Sequence, residues 1–163
     1  MKSLFSIVLC CFAFQFLVAQ SFQEGVKAPD FKLYALDGTT SNLETYKDKV
    51  VVIKMWFKEC APCLQEISTV NKLVEKYKNR DDVVFIAPSP NSKSTLEKFV
   101  GKVDFKYVVM SSSYEMLRDY NPLRRYPTHV IIDKKGIVSF LYEGTSSNIG
   151  KILSKEIDKV LKL

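Results

Sequence analysis

The stretch Lys49-Val50-Val51-Val52-Ile53-Lys54-Met55-Trp56-Phe57-Lys58-Glu59-Cys60-Ala61-Pro62-Cys63 decides how the chain is read. Residues 49–53 are rich in β-branched side chains without polar alternation. That pattern marks a strand buried on both faces, here ending near Trp56-Phe57. From Pro62 to Tyr77 the apolar residues Leu64, Ile67, Val70, Leu73, Val74 and Tyr77 recur every three or four positions, which describes an amphipathic helix of about four turns. Cys60 therefore stands at a helix start, where free backbone N–H groups and the positive dipole end favour a thiolate. Pro62 suits the first turn, where its missing N–H loses no intrahelical bond, and it stiffens the link between the two sulfurs.

Three readings of Cys60-Ala61-Pro62-Cys63 follow from the residues. A structural staple across two intervening residues closes a very short loop and constrains the unfolded chain little. A zinc or copper site needs more ligands than two thiolates, and the only histidine, His129, is distant in sequence. Redox exchange fits the placement best. Cys60 thiolate attacks a substrate disulfide, and Cys63 resolves the mixed disulfide by closing onto Cys60.

Working outward, Phe31–Leu36 alternates apolar and polar residues and runs into Asp37-Gly38, a strand and tight turn. Ser41-Asn42-Leu43-Glu44 reads as a capping box for a short helix. Val83–Ala87 predicts a second apolar strand. Ser94-Thr95-Leu96-Glu97 caps a helix through about Val100, and Tyr107–Met110 follows as a strand. Ser112-Ser113-Tyr114-Glu115 caps another helix ending near Tyr120. Thr128–Asp133 and Ile137–Tyr142 form a hairpin through Lys134-Lys135-Gly136, and Ile149 to Leu161 makes a closing helix. After the N-terminal strand the order is β-α-β-α-β-α-β-β-α. This is an α/β architecture with a mixed sheet covered on both faces.

The 163 residues carry 24 Lys and Arg against 18 Asp and Glu, a formal charge of +6, with four cysteines and six each of Gly and Pro. Such numbers suit one globular domain and exclude a disulfide-dense miniprotein, a collagen-like chain or a disordered one. Met1-Lys2-Ser3 followed by the apolar run Leu4–Ala19 has signal-peptide architecture, with cleavage expected after Ala19. Sixteen helical residues span only about 24 Å, short of a hydrocarbon core of roughly 30 Å, so an uncleaved anchor is the weaker alternative. Lipidation at Cys10 or Cys11 is weaker still, because Ile7-Val8-Leu9 lacks small residues. Removing residues 1–19 takes Lys2 and two cysteines and leaves a domain of 144 residues, 20–163, at +5 with one cysteine pair. The only short basic runs are Arg124-Arg125 and Lys134-Lys135, with no nucleic-acid motif beside them.

Trp56 through Cys63, placed after a strand and followed by Tyr126-Pro127-Thr128, resembles the thioredoxin superfamily. Gly25-Val26-Lys27-Ala28-Pro29-Asp30-Phe31, with Leu33 and Asp37-Gly38, is similar to the start of its exported TlpA/ResA-like branch. The resemblance covers about residues 22–163. It implies a thioredoxin-like three-layer fold, a mixed central sheet flanked by helices, with an N-terminal strand extension and an inserted helix and strand over 88–110. It further implies that Cys60 is the exposed nucleophile, Cys63 the buried resolving thiol and Pro127 a cis-proline whose preceding residue pairs with substrate backbone. Tyr126, Pro127 and Trp56 are thus the candidate substrate-binding residues.

Several positions depart from the family pattern. Lys54 occupies the place of a buried acidic residue, and Glu66, one turn past Cys63, is a candidate partner for it. Glu59 replaces a tryptophan and sets a negative charge beside the nucleophile, which Lys58 offsets. Lys54, Glu66 and Glu59 are the candidate pKa-tuning residues. Ser68 stands where a kinking proline is common, which predicts a straighter helix. Trp56 is expected beside the disulfide, His129 as a satisfied sheet residue, and Met55, Met110 and Met116 as core filler rather than a metal site. The expected activity is exported thiol-disulfide exchange with no cofactor beyond the Cys60–Cys63 disulfide. The chain acts as a monomer and a reductant, between a disulfide-bearing client and an upstream thiol donor. Membrane contact arises only if the leader stays. A peroxidase and a copper-carrying assembly protein are the alternatives. The first lacks a Thr-x-x-Cys context and the second would space its cysteines by three.

Overall fold

The computed structural model describes residues 22–162, so the leader and Cys10 and Cys11 lie outside it. Seven strands form one sheet: β1 (Leu33–Ala35), β2 (Thr40–Ser41), β3 (Val50–Met55), β4 (Val83–Ser89), β5 (Val108–Ser112), β6 (Thr128–Ile132) and β7 (Val138–Glu143). Their spatial order is β2-β1-β5-β4-β3-β6-β7. The β3–β4 and β4–β5 pairs are parallel, and the β1–β2, β1–β5, β3–β6 and β6–β7 pairs are antiparallel. The sheet is mixed, as the alternation of elements predicts, with β3 fully buried near its centre. The backbone of residues 25–28 hydrogen-bonds along the start of β7, Gly25 N–H donating to Val138 O at 2.8 Å.

The helices are α1 (Ala61–Gln65), α2 (Ile67–Tyr77), α3 (Lys93–Val100), α4 (Tyr114–Tyr120) and α5 (Ile149–Val160). Three local expectations shift. The capping box at Ser41 does not form, because Ser41 pairs in β2. A 3₁₀ turn over Glu44–Tyr46 is instead held by Asn42, whose side-chain oxygen accepts from Thr45 N at 3.0 Å. The caps of α3 and α4 are Ser92 and Ser113 rather than Ser94 and Ser112. The straight helix predicted over 62–77 is interrupted at Glu66, without a proline. The apolar spacing runs through that residue unbroken, and the interruption falls at the residue whose carboxylate meets Lys54 and His129.

Alternate residues of β3 feed two apolar clusters. Val50, Val52 and Trp56 join Cys60, Cys63, Val70, Leu73, Leu153 and Ile157 under α2 and α5. Val51, Ile53 and Met55 join Phe31, Met110, Met116 and Tyr120 on the opposite face. Both clusters have the period-two logic of a doubly covered strand. The three methionines are packed core residues, 0–3% exposed. The predicted insertion is present as α3 and β5, which lie between β4 and α4.

Candidate active site

β3 leads directly into the thiol pair. Cys60 is the N-cap of α1, and its sulfur accepts a hydrogen bond from Cys63 N–H at 3.2 Å. The Cys63 N–H is thus a first-turn donor facing the Cys60 sulfur, at the start of a helix that runs five residues before the interruption. Cys60 and Cys63 form a disulfide with a Cα separation of 5.2 Å. Cys63 is fully covered, and Cys60 keeps 4% of its surface. The asymmetry runs in the expected direction, but Cys60 is not the openly exposed thiol the resemblance implied. It shares an apolar cluster with Phe57 and Tyr126, whose rings meet edge to face at 5.1 Å. The loop before Cys60 is tied down by Asn91, whose side-chain oxygen accepts from Lys58 N–H at 2.8 Å.

The second part of the site is the loop between α4 and β6, with a cis Tyr126–Pro127 bond. Asn121, 1% exposed, clamps this loop. Its side-chain NH₂ donates to Arg125 O at 2.7 Å and its side-chain oxygen accepts from Arg125 N–H at 2.8 Å. Gly144 N–H donates to Pro127 O at 2.8 Å, and the Arg125 guanidinium pairs with Glu143 at 2.7 Å. Tyr126 is half-buried, and burial raises its hydroxyl pKa. The β3–β6 register sets Met55 opposite Thr128, which brings the end of this loop alongside the strand that carries the thiols.

Beneath the thiols lies a buried charged cluster. Lys54 and His129 are register partners across β3 and β6, on the face that holds the thiols. Both converge on one carboxylate oxygen: Glu66 Oε2 is 2.5 Å from Lys54 Nζ and 3.0 Å from His129 Nε2. The two sheet residues are fully buried and Glu66 is 6% exposed. Burial lowers the Lys54 pKa against the opposing pull of Glu66. Burial works to raise Glu66, but the His129 hydrogen bond and Lys54 outweigh it and hold the carboxyl below its ordinary range. Burial lowers His129, so the ring is neutral near pH 7 and its Nε2–H donates to the ionised Glu66. His129 is therefore part of the ion-pair cluster, which the sequence reading missed. The available signal was parity: Lys54 and His129 are the charged or titratable residues on the thiol-side faces of two otherwise apolar strands. Glu66 Oε1 and His129 Nδ1 have no hydrogen-bond partner among the described residues.

Glu59 is exposed and pairs with Lys58 at 3.1 Å. The Lys58 hydrogen bond lowers its pKa, so the negative charge beside Cys60 is locally offset. Trp56 corrects an expectation. It is completely buried, packed against Phe99 and Phe105, and its indole N–H donates to Ala87 O at 3.2 Å. It is a core residue in the same cluster as the disulfide, and it has no surface with which to meet a substrate.

A disulfide at a strand–loop–helix junction, beside a cis-prolyl loop on a mixed sheet, defines a thiol-disulfide oxidoreductase of the thioredoxin fold. The chain belongs to the Redoxin family, whose model matches residues 23–161. It is 32% identical over 143 residues to the thioredoxin-like protein YneN of Bacillus subtilis, covering 86% of this chain and 80% of that one. It is also 32% identical over 124 residues to the thiol-disulfide oxidoreductase ResA of Geobacillus kaustophilus, covering 74% and 70%. Among solved structures, a candidate thiol:disulfide interchange protein DsbE from Chlorobium tepidum superposes with a TM-score of 0.77 at 25% identity, covering 86% of this chain and 99% of that one. Among the described residues no helix is long and apolar enough to cross a membrane.

Proposed function

We propose that the protein is exported by its apolar leader and reduces disulfides of client proteins outside the cytoplasm. The observation that carries the order of events is the unequal cover of the two cysteines, Cys60 being 4% exposed and Cys63 0%. In the dithiol form, Cys60 thiolate attacks one sulfur of a client disulfide. That bond breaks, one client thiolate leaves, and a mixed disulfide joins Cys60 to the client. Cys63 then attacks Cys60 Sγ, the second client thiolate leaves, and the Cys60–Cys63 bond forms. Two electrons pass to the client, and an upstream thiol donor restores the dithiol. Tyr126 and Pro127 present backbone to the client chain, and Lys54, Glu66 and Glu59 set the thiol pKa values. The chain works as a monomer and needs no bound cofactor. Contact with the membrane depends on retention of the leader.

The Cys60–Cys63 reduction potential tests the direction. A value near roughly −270 mV supports a reductant, and one near roughly −120 mV replaces it with an oxidant. Cys63→Ser is expected to accumulate covalent client adducts through Cys60. The tuning roles are tested by thiol titration. Lys54→Ala leaves the Glu66 charge uncompensated and raises the Cys60 pKa, whereas Glu66→Gln removes that negative charge together with the counter-ion that keeps buried Lys54 protonated, so it should move the Cys60 pKa less than Lys54→Ala does. An unchanged Cys60 pKa in both variants removes these residues from the tuning set.

A further inference from the structure

The lysines that look scattered in sequence are gathered in the fold. α2 and α5 lie side by side in the same direction, because Thr69 meets Gly150 at one end and Tyr77 reaches Ser154 and Asp158 at the other. A Cβ at Gly150 would fall 2.7 Å from Thr69 Cγ2, so the helices approach closely there. Along this pair runs a groove of about 960 Å³, with Leu73 among the residues that line it. Its walls carry Lys72, Lys76, Lys151, Lys155, Lys159 and Lys162, against one acidic residue, Asp158. Asp158 is committed to Lys76 at 2.7 Å and to the Tyr77 hydroxyl, and Lys159 has the nearby Glu156. Lys72, Lys151 and Lys155 are exposed and have no ion pair among the described residues. Their spacing is that of helix neighbours, with Lys151, Lys155 and Lys159 four residues apart.

We propose that this groove docks an acidic amphipathic segment of a partner protein. The argument is charge and shape together. Cationic walls on both sides of a concave groove, whose lysine methylene stems supply most of its apolar surface, match a segment with carboxylates flanking an apolar stripe. The groove starts at the loop Ser147–Asn148, beyond β7, whose end is bonded to the cis-proline loop through Gly144 and Pro127. A segment seated there runs away from the thiols along the helices. On the function proposed above, its owner is the disulfide-bearing client. The docking itself needs no disulfide, so it can fail while that function stands.

The test is a fluorescence-anisotropy titration of the protein with a synthetic cysteine-free amphipathic peptide bearing glutamate at every fourth position. Saturable binding is expected, weakening with salt. The triple variant Lys72→Glu, Lys151→Glu, Lys155→Glu should lose about tenfold or more in affinity. The control Lys27→Glu, Lys102→Glu, Lys135→Glu changes the net charge equally and should stay within about twofold. Both variants should reduce a small aromatic disulfide at the wild-type rate, which shows that they fold and keep the thiol site. Absence of saturable binding, or equal losses in both variants, overturns the proposal. So does tighter binding to phosphatidylglycerol vesicles than to the peptide through the same three lysines, which would make the face a membrane surface instead.

Discussion

Two lysine–carboxylate pairs of nearly equal length sit in unlike surroundings. Under the disulfide, Lys54 and Glu66 meet at 2.5 Å with side chains 0% and 7% exposed. On the α2–α5 surface, Lys76 and Asp158 meet at 2.7 Å with side chains 45% and 46% exposed. The difference shows that contact distance says little about what a pair does. The buried pair has exchanged water for a single shared oxygen, so each charge depends on the other. The exposed pair keeps its water and is screened by salt. The buried region holds its charges as one set, whereas the surface around the exposed pair also leaves Lys72, Lys151 and Lys155 without an ion pair among the described residues.

The strongest way to break this contrast is to remove one member of the buried pair. Lys54→Met should cost about 3–5 kcal/mol in denaturant unfolding, because it strands the Glu66 carboxylate with only His129 as a donor. The double variant Lys54→Met, Glu66→Met should recover most of that loss. Equal losses in the single and double variants would mean that the pair is not coupled as its geometry requires.

A smaller effect separates His129 from Lys54. The folded pKa of His129 lies below its ordinary 6.5 and that of Glu66 below its ordinary 4.5. Between the ordinary and the folded value of each, the unfolded chain binds more protons, so stability rises with pH in both windows. On acidification, stability should begin to fall as pH drops below about 6.5 through His129, and fall further below about 4.5 as Glu66 loses its advantage. His129→Asn should remove the first descent relative to wild type and leave the second. The check is the difference between the two stability–pH curves, since other carboxylates contribute to both.

Much of this organisation is written in local sequence. The β-branched run of β3, the three-and-four spacing of α5 and the place of Cys60 before a helix are one-dimensional signals that reappear in the fold, whereas the cis Tyr126–Pro127 bond is legible only through the family resemblance. What escaped is set by contacts across distance. The apolar period passes through Glu66 without a mark, yet the helix breaks where its carboxylate meets two sheet residues. Asn121 and Asn91 look like ordinary loop residues until the fold brings Arg125 and Lys58 to them. The choice of Ser92 over Ser94, and of Ser113 over Ser112, rests on which serine reaches a free N–H, a difference of one or two residues. A large aromatic next to the thiols reads equally as rim or as core, and Trp56 is core.

The smallest effect belongs to the exposed pair. Lys76 touches Asp158 and Ser154, and its ammonium lies 4.8 Å from the Tyr77 ring centroid. Hydrogen bonding to Asp158 raises its pKa, but most of that interaction is shared with solvent. Lys76→Ala should therefore cost no more than about 1 kcal/mol, and the cost should shrink in molar salt, where the Debye length falls to about 3 Å. Asp158 would not be orphaned, because the Tyr77 hydroxyl still donates to it at 2.7 Å. The Lys54→Met loss, by contrast, should barely respond to salt, since ions do not reach that pair. A salt-insensitive loss at Lys76 comparable with the one at Lys54 would erase the distinction between the two regions, and with it the ground for reading one as tuning and the other as recognition.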